Sequence, residues 1–362
     1  MRALIIGAGL AGATSARILA DKGYEVMVYE SQKFVGGMCN DELTNEYYKQ
    51  NYGPHIWHTS IESVQEFISR FTTILPVRHK VRAITSKRSD THFPITSQTL
   101  EDIGQDQIDN TNLRTDNFEI YLKDKIGSKT YEELIKHYTE RQWGMSPTEL
   151  DYSLASRITV NLENPMTEFF DHEKYVGFPN KGFTAMIQEM LDHPKIKVHT
   201  DLEMDLASVK TNSALYTKVV ITSRLDKFVT HIETLPFRKV SFEFRNCTDH
   251  AMYDDILVHN NCNPIGEFSR VSHYHKFFKA ITNREGTIIE GYEYPNDTYG
   301  VACYPITVVP TIYRDSEKLN TDLKNIISRS LASNSVHFLG RLASYKYLDM
   351  DKVILQVMEE LA

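Results

Sequence analysis

The chain has 362 residues and a formal net charge of −8, and hydrophobic residues make up 41% of it. This length supplies core for two or three domains of an ordinary globular protein. The acidic balance without a basic run argues against a nucleic-acid partner. No stretch approaches the roughly 18 apolar residues that a membrane span requires. Four scattered cysteines without CxxC spacing are typical of a reduced, cytoplasmic protein without a structural metal.

The first thirty residues carry the most informative local pattern. A short apolar run breaks into the sequence GAGLAG at 7–12, a helical pattern follows, and a second predicted strand ends at Glu30. In such a dinucleotide-binding βαβ unit, Gly7 permits the tight turn, Gly9 lets a pyrophosphate approach the backbone, and Gly12 lets the helix pack close to the strand. The Glu30 carboxylate can bind ribose hydroxyls and disfavours a 2′-phosphate, so NADP fits poorly.

The remaining predicted elements fall into three groups. The α/β character is interrupted twice, which indicates one nucleotide-binding domain with two insertions rather than domains strung end to end. We therefore predict an α/β fold: a Rossmann-like domain with an inserted helical domain and an inserted antiparallel β-sheet domain. The predicted limits are 1–75, 177–237 and 335–362 for the Rossmann-like domain, 98–176 for the helical insert, and 76–97 with 238–334 for the sheet domain.

The clearest helices of the helical insert are Asp116–Ile126 and Thr130–Glu140. Thr130 and Glu133 have the spacing of a capping box, in which a threonine and an acidic side chain satisfy the first free N–H groups of a helix. The pattern therefore predicts that the second helix begins at Thr130.

Two glycine-containing segments favour FAD over NAD as the dinucleotide. Gly36 and Gly37 follow the second strand where flavoproteins bring the backbone close to the cofactor, although a plain surface turn would explain them if they stood alone. Gly340-Arg341, followed by Asp349 before a terminal helix, is a common flavoprotein ending. The N-terminus of that helix can stabilise the negative charge that gathers on a reduced flavin.

Two further segments are rich in aromatic side chains. The segment 52–59, YGPHIWHT, places two histidines three residues apart among aromatics, which is typical of a site lining. The segment 138–144, YTERQWG, has two interpretations. Tyr138 and Trp143 can stack on a base or a sugar, or they can belong to the core behind a helix end capped by Gly144.

Single arginines and tyrosines are weaker candidates. A guanidinium fork matches phosphate geometry, and a tyrosine can donate a hydrogen bond, but each taken alone is more often a surface or packing residue. These candidates are Arg157, Arg270, Arg341, Tyr304, Tyr345 and Tyr347.

Taken together, three segments resemble the bacterial UDP-galactopyranose mutase family of flavoenzymes. They are 52–59, 138–144 and the sequence GRLASYKYLDM at 340–350, and the similarity extends with gaps to about Ile354. The resemblance implies interconversion of UDP-galactopyranose and UDP-galactofuranose by nucleophilic attack of N5 of reduced FAD on the anomeric carbon. It also implies a UDP-sugar substrate and an external reductant, and it leaves open whether the protein is a homodimer.

The resemblance implies a role for each matching residue. Arg157 and Arg270 would hold the substrate diphosphate, one of them from a mobile loop at about Ile158 to Tyr175, with Tyr304 and Tyr347 donating hydrogen bonds to it. Tyr138 would stack on uracil. The implied catalytic residues are Arg157, Arg270 and His58; the substrate-binding residues are Tyr138, Trp143, Arg157, Arg270, Glu293, Tyr304 and Tyr347; the cofactor-binding residues are Gly7, Gly9, Gly12, Glu30, Gly36, Gly37, His58, Arg341 and Asp349.

Several departures from the family pattern leave the sugar open. Cys303-Tyr304 stands where the family usually has two tyrosines, and Phe169-Phe170 falls where the family has a loop tyrosine. A pentose such as UDP-arabinopyranose therefore competes with galactose, because the implied mechanism does not use the exocyclic carbon. Two other classes share parts of the pattern: FAD-dependent oxidases of the amine-oxidase type, and non-catalytic GDP-dissociation-inhibitor-like proteins.

Overall fold

A computed structural model shows the arrangement of most of the chain. It describes residues 1–44, 47–87, 90–105, 108, 111, 113–163, 168–229, 233–247, 255–277, 288–296, 300–331 and 335–362. Within these residues, no helix is both long enough and apolar enough to cross a membrane.

A five-stranded parallel sheet forms the centre of the α/β part. Its strands, in spatial order, are Ile196–His199, Glu25–Tyr29, Arg2–Ile6, Lys218–Ile221 and Ser335–Phe338. All four neighbouring pairs are parallel. The strands come from the three separate stretches that the interrupted α/β pattern predicts.

Both faces of the central strands Arg2–Ile6 and Lys218–Ile221 are buried, which explains why these two strands read as nearly continuous apolar runs. On the first strand, Ile5 belongs to one core and its neighbours Leu4 and Ile6 to a second core. Among the helices that contribute buried residues to the first core are Leu10–Asp21, Gly182–Leu191 and Met350–Leu361, and among those of the second are Leu206–Asn212, Leu225–Phe228 and Pro310–Ser330.

The helix Pro310–Ser330 packs on the α/β part rather than on the second sheet. Its Leu323 and Ile327 are buried with Val219 and Ile221 of the parallel sheet. This helix, which lies within the predicted limits of the sheet domain, therefore contributes to the core of the α/β part.

The two helices predicted in the helical insert are present with different limits: the first begins at Phe118, and the second begins at Ser128 and is interrupted by a π-helical turn. Its helices are Ser97–Ile103, Phe118–Ile126, Ser128–Tyr131 and His137–Trp143, with a π-helical turn at Glu132–Lys136 and 3-10 turns at Pro147–Glu149 and Tyr152–Arg157.

The predicted capping box at Thr130 and Glu133 is wrong. Gly127 precedes the helix start, so Thr130 lies inside the helix, where its side chain is buried. Glu133 instead accepts a hydrogen bond of 2.6 Å from the Ser86 hydroxyl.

The second large sheet has seven strands. In spatial order they are Val301–Pro305, Phe237–Cys247, Ile288–Asn296, Arg270–His273, Val258–Asn261, Val81–Ile84 and Asp90–Phe93. The predicted antiparallel arrangement holds except where Val258–Asn261 pairs in parallel with Val81–Ile84. These two strands come from opposite sides of the helical insert, so no tight hairpin forces them to be antiparallel.

A three-stranded antiparallel sheet connects the segment 52–59 to the end of the predicted loop. Trp57–Thr59 pairs with Tyr175–Pro179, which in turn pairs with Ile74–Pro76. The remaining elements are the strand pairs Asp41–Thr44 with Tyr47–Gln50 and Ile95–Thr96 with Val160–Asn161, the helices Glu62–Ser69, Tyr274–Phe277 and Gly340–Ser344, and the 3-10 turns Gly37–Cys39 and Ser213–Leu215.

Candidate active site

The glycine turn has the geometry of a dinucleotide-binding fingerprint. Gly7 has a φ of +102°, which favours glycine over other residues. A Cβ atom on Gly12 would lie 1.9 Å from the carbonyl oxygen of Gly7, so the helix can approach the turn only with glycine there. The helix begins after Gly9 with no side-chain cap. Its first N–H groups and its dipole therefore favour an anion at this end.

Gly36 and Gly37 lie against this turn. Gly36 forms a bridge with Gly9, and a Cβ atom on Gly37 would lie 3.1 Å from the Gly9 Cα atom. The two segments therefore form one glycine-lined surface, which removes the alternative of a plain surface turn.

Glu30 is buried beside the glycine turn. Its carboxylate accepts hydrogen bonds of 2.7 Å from the Ala8 amide and 2.9 Å from the Gln32 amide. These bonds fix the carboxylate at the end of its strand, in the wall of the cavity described next.

The first of two adjoining cavities has a volume of about 570 Å³. Six of the nine predicted cofactor-binding residues line it: Gly7, Gly9, Glu30, Gly36, Gly37 and Arg341. Gly12 packs beneath the turn, whereas His58 and Asp349 line the neighbouring cavity instead. A carboxylate for ribose, a glycine cradle and a free helix N-terminus in one cavity fit a dinucleotide such as FAD.

The second cavity has a volume of about 580 Å³ and shares a wall with the first. Met38, Tyr52, His55, Arg341 and Met350 line both cavities. Every predicted catalytic and substrate-binding residue lines the second one: His58, Tyr138, Trp143, Arg157, Arg270, Glu293, Tyr304 and Tyr347.

Arg157 and Arg341 lie on the ring of Tyr347. The Arg157 Cζ atom is 3.6 Å from the ring centroid and the Arg341 Cζ atom 5.0 Å from it. Arg157 also donates a hydrogen bond of 2.9 Å to the Tyr347 carbonyl and lies 3.3 Å from an Asp349 carboxylate oxygen. Stacking on the aromatic ring stabilises two like charges side by side. Tyr304 completes this cluster, with its ring centroid 5.1 Å from that of Tyr347.

Arg270 reaches the cavity from the seven-stranded sheet. Its Nη2 atom donates a 3.0 Å hydrogen bond to the Tyr138 hydroxyl, and its Nε atom lies 3.5 Å from a carboxylate oxygen of Glu293, its partner on the neighbouring strand. Burial raises the pKa of Glu293 and Arg270 opposes this. Burial is the largest influence on Arg270 and lowers its pKa, but Glu293, Tyr138 and Tyr304 together outweigh it, so the net pKa is raised and the guanidinium stays charged.

The helix end that carries Tyr138 and Trp143 is docked on the same sheet by two arginines. Arg141 donates hydrogen bonds of 2.6 Å to the carbonyls of Asn261 and Asn263. Arg238 is buried and donates to the carbonyls of Arg141 and Gln142. Sequence reasoning assigned Arg141 no role, although it belongs to the segment 138–144.

The segment 138–144 is a capped and packed helix end that also lines the cavity, and the predicted stacking of Tyr138 and Trp143 on a base or a sugar stays a prediction. Gly144 caps the helix in the left-handed conformation, with a φ of +71°. Trp143 is largely buried, yet it also lines the cavity together with Tyr138. The helix end is therefore both a packed terminus and part of the site lining.

The predicted loop covers His58. Phe170 stacks on the His58 ring with a centroid distance of 4.0 Å and an interplanar angle of 11°, and Glu173 Oε1 lies 3.5 Å from His58 Nδ1. Residues 164–167 of the predicted loop lie outside the described residues.

Sequence reasoning missed several residues of the cavity, among them His79 and Gln142. Both are buried side chains in its lining. Gln142 lies inside the segment 138–144, which could have drawn attention to it, whereas His79 lies in no motif.

Relatives of known or probable function cover almost the whole chain. It is 27% identical to a dTDP-fucopyranose mutase from Escherichia coli, with 99% of this chain and 97% of the relative covered. It is also 27% identical to a probable UDP-galactopyranose mutase from Klebsiella pneumoniae, with 98% and 92% covered. A crystal structure of reduced UDP-galactopyranose mutase has the same fold, with a TM-score of 0.74 at 14% identity over 99% of this chain and 94% of that one.

Family models match both parts of the site. The NAD(P)-binding Rossmann-like model covers residues 5–71, which include the glycine turn and Glu30. The UDP-galactopyranose mutase model covers residues 133–347, which include the helix end, both strands that carry Arg270 and Glu293, and the Tyr347 cluster. The chain belongs to the UDP-galactopyranose mutase family.

Proposed function

We propose that this protein interconverts the pyranose and furanose forms of a nucleoside-diphosphate sugar, with UDP-galactopyranose and UDP-galactofuranose as the leading pair. The observation that carries the proposal is the shared wall of the two cavities. A cofactor in the first cavity can reach a sugar in the second only through this wall, which Tyr52, His55 and Met350 help to form.

The arginines account for binding of the diphosphate. Arg157 and Arg270 line the same cavity, and Arg341 lies at its wall. A guanidinium fork pairs with phosphate oxygens through two parallel hydrogen bonds. Because the chain carries a net charge of −8, its overall field repels a nucleotide, and local positive charge has to attract it.

Holding the leaving group is the main task of these residues. Reduced FAD, when bound, supplies the nucleophile for the anomeric carbon. Arg157, Arg270, Tyr304 and Tyr347 would hold the nucleoside diphosphate in place after its bond to the sugar breaks. A retained leaving group can return to the anomeric carbon without diffusing back from solvent, which lowers the entropic barrier of that step.

The N-terminus of the helix Met350–Leu361 supports a requirement for the reduced form of the cofactor. Its first residue lines both cavities, and the side chain of Asp349 makes no capping hydrogen bond to it. The free N–H groups and the helix dipole therefore favour negative charge at the shared wall. Stabilising that charge favours the reduced cofactor.

The experiment is a comparison of redox states. Dithionite-reduced protein should convert UDP-galactofuranose to UDP-galactopyranose, and air-oxidised protein should be nearly inactive. Equal activity in the two states would reject a requirement for reduced cofactor.

A second candidate substrate, dTDP-fucopyranose, deserves the same assay. The relative that acts on it by name is as similar to this chain as the UDP-galactopyranose mutase relative. Apolar rings at the cavity, among them Phe169 and Phe170, are compatible with a deoxysugar. Running UDP-galactose, dTDP-fucose and UDP-arabinose isomers side by side decides between a hexose, a deoxyhexose and a pentose by their kcat/KM values.

A further inference from the structure

A buried glutamine closes the turn that lies between the two cavities. Gln50 ends the strand Tyr47–Gln50 and is 1% exposed. Its side-chain nitrogen donates a 2.8 Å hydrogen bond to the carbonyl of His55, and its side-chain oxygen accepts a hydrogen bond from the amide of the same residue. Burying an amide group is costly unless it is hydrogen-bonded, and here both its donor and its acceptor are used. One side chain therefore fixes both backbone groups of His55.

The turn that Gln50 closes forms part of the wall of both cavities. Tyr52 and His55 line both cavities, and Gly53 lines the second one. Gly53 has a φ of +83°, and a Cβ atom on it would lie 3.4 Å from a carboxylate oxygen of Glu293. The turn therefore packs closely on the carboxylate that pairs with Arg270.

The start of this turn is tied to the cofactor cavity by a second pair of amides. Asn51 donates two hydrogen bonds to Asn40, one of 3.0 Å from its backbone nitrogen to the carbonyl and one of 2.7 Å between the side chains. Asn40 is buried and donates a 3.0 Å hydrogen bond to the Val35 carbonyl. A Cβ atom on Gly36 would lie 3.1 Å from the Asn40 Cα atom. The start of the turn is therefore fixed against the glycine pair of the cofactor cavity, and Gln50 fixes its end.

A second glutamine bonded to the same segment shows what is particular to Gln50. Gln65 accepts a 2.8 Å hydrogen bond from the indole nitrogen of Trp57. Trp57 is fully buried in the first core and is not part of the lining of either cavity. Gln65 therefore anchors the segment 52–59 to the core, whereas Gln50 fixes the part of it that lines both cavities.

We propose that Gln50 is a positioning residue of the active site, which holds Tyr52 and His55 in the wall through which the cofactor and the sugar meet. The inference rests on the proposed function, since it assumes that the reaction takes place across this wall. Gln50 itself lines neither of the two cavities, so it acts through the turn rather than by touching a reactant. A misplacement of about 1 Å in an active site can lower a rate by about 100-fold.

The substitution Gln50→Met tests the proposal, because methionine has a similar length and removes both hydrogen bonds. We expect the kcat of the reduced holoenzyme with UDP-galactofuranose to fall by about tenfold to about 100-fold, with the affinity for UDP unchanged. The absorbance maxima and the reduction potential of the bound flavin should shift, because Tyr52 and His55 line its cavity.

Gln65→Met is the matched control, because it also removes a hydrogen bond to the segment 52–59 but leaves both cavity walls in place. Its kcat and flavin spectrum should equal those of the unmodified protein. A normal kcat in flavin-loaded Gln50→Met would overturn the proposal, and so would an equal loss of kcat in Gln65→Met or a loss of UDP affinity as large as the loss of kcat.

A pH profile separates positioning from a general loss of stability. In Gln50→Glu the introduced carboxyl can both donate and accept when it is protonated, as the amide does, but it can only accept when it is ionised. Burial raises the pKa of a carboxyl group, so the kcat of this variant relative to that of the unmodified protein should rise as the pH falls from about 8 to about 5.5. A low ratio that does not change over this range would overturn the proposal, and this test remains if Gln50→Met does not fold.

Failure of the proposed function can be told apart from failure of this inference. If the unmodified protein isomerises no nucleotide sugar, the proposed function is refuted, and the flavin absorbance and reduction potential of Gln50→Met still test whether Gln50 positions the wall. Unchanged absorbance maxima and an unchanged potential in that variant would then refute the role of Gln50.

Discussion

Replacing Arg270 by alanine removes a guanidinium from the wall of the second cavity while leaving the first cavity untouched. Arg270 lines only the second of the two, so flavin should remain bound. Truncating one partner of a buried, hydrogen-bonded charge pair costs about 2–5 kcal/mol. That range corresponds to a fall in kcat/KM of about 30-fold to about 4,000-fold.

The same substitution also affects stability, and the structure identifies the cause. Glu293 is 2% exposed, and Arg270 is the charge that opposes the rise in its pKa. Without Arg270 the pKa of Glu293 rises further, and the carboxylate is left buried without its ion pair. Breaking a buried ion pair in this way costs about 3–5 kcal/mol of stability.

Two companion variants separate binding from folding. Arg270→Ala combined with Glu293→Gln removes the stranded charge, so it should recover stability measured by urea unfolding but not activity. Arg270→Lys keeps the charge but loses the fork, so its kcat/KM should lie between those of the unmodified protein and Arg270→Ala. The kcat/KM of each variant is measured from initial rates with reduced protein, and the flavin absorbance shows whether the variant has its cofactor bound. A normal kcat/KM in flavin-loaded Arg270→Ala would refute the reasoning.

Three further predictions concern the cofactor, a thiol and pH. Gly12→Ala should lower the flavin-to-protein absorbance ratio of the purified protein, because the new methyl group would collide with the Gly7 carbonyl; full flavin content would contradict this. Burial raises the pKa of the Cys39 thiol to about 12. Iodoacetamide at pH 8 should therefore modify Cys39 only after the protein unfolds. Rapid labelling of Cys39 in the native protein would contradict this prediction. Burial lowers the pKa values of His55 and His259 to about 4 and about 3. The contribution of these two histidines to the free energy of unfolding is complete above about pH 6.5 and is lost as pH falls through their lowered pKa values. The urea concentration at the midpoint of unfolding should therefore fall between pH 6.5 and pH 4. A midpoint that does not change over this range would contradict the prediction.

The parts of this protein that short motifs encode could be predicted from the sequence. The glycine turn and the strand ending at Glu30 lie within thirty residues, so their spacing alone indicates the βαβ unit. Family membership confirms three predictions: the fold class, the assignment as a nucleotide-sugar mutase, and FAD as the cofactor. The predicted domain limits, site roles, cytoplasmic location and possible homodimer stay predictions.

Features that depend on long-range packing could not be read from the sequence. His79 lies in no motif, and its position in the cavity follows from the three-stranded sheet that brings Phe170 onto its ring. Thr130 has the local signature of a cap, but Gly127 starts the helix earlier and the threonine becomes buried. The parallel pair within the seven-stranded sheet likewise depends on a strand that precedes the helical insert.

The alternative classes make different chemical demands. An oxidase of the amine-oxidase type consumes an electron acceptor with every turnover, and a GDP-dissociation-inhibitor-like protein needs no flavin. Neither class requires Arg157 and Arg270 to face a cavity that adjoins the cofactor site.

The number of products formed per reducing equivalent tests the central claim most directly. The protein is reduced once with a stoichiometric amount of dithionite under anaerobic conditions, mixed with excess UDP-galactofuranose, and followed by chromatography and flavin absorbance. We predict many molecules of UDP-galactopyranose per flavin while the flavin stays reduced. Product limited to one molecule per flavin, with reoxidation of the flavin, would contradict the account and indicate an oxidoreductase.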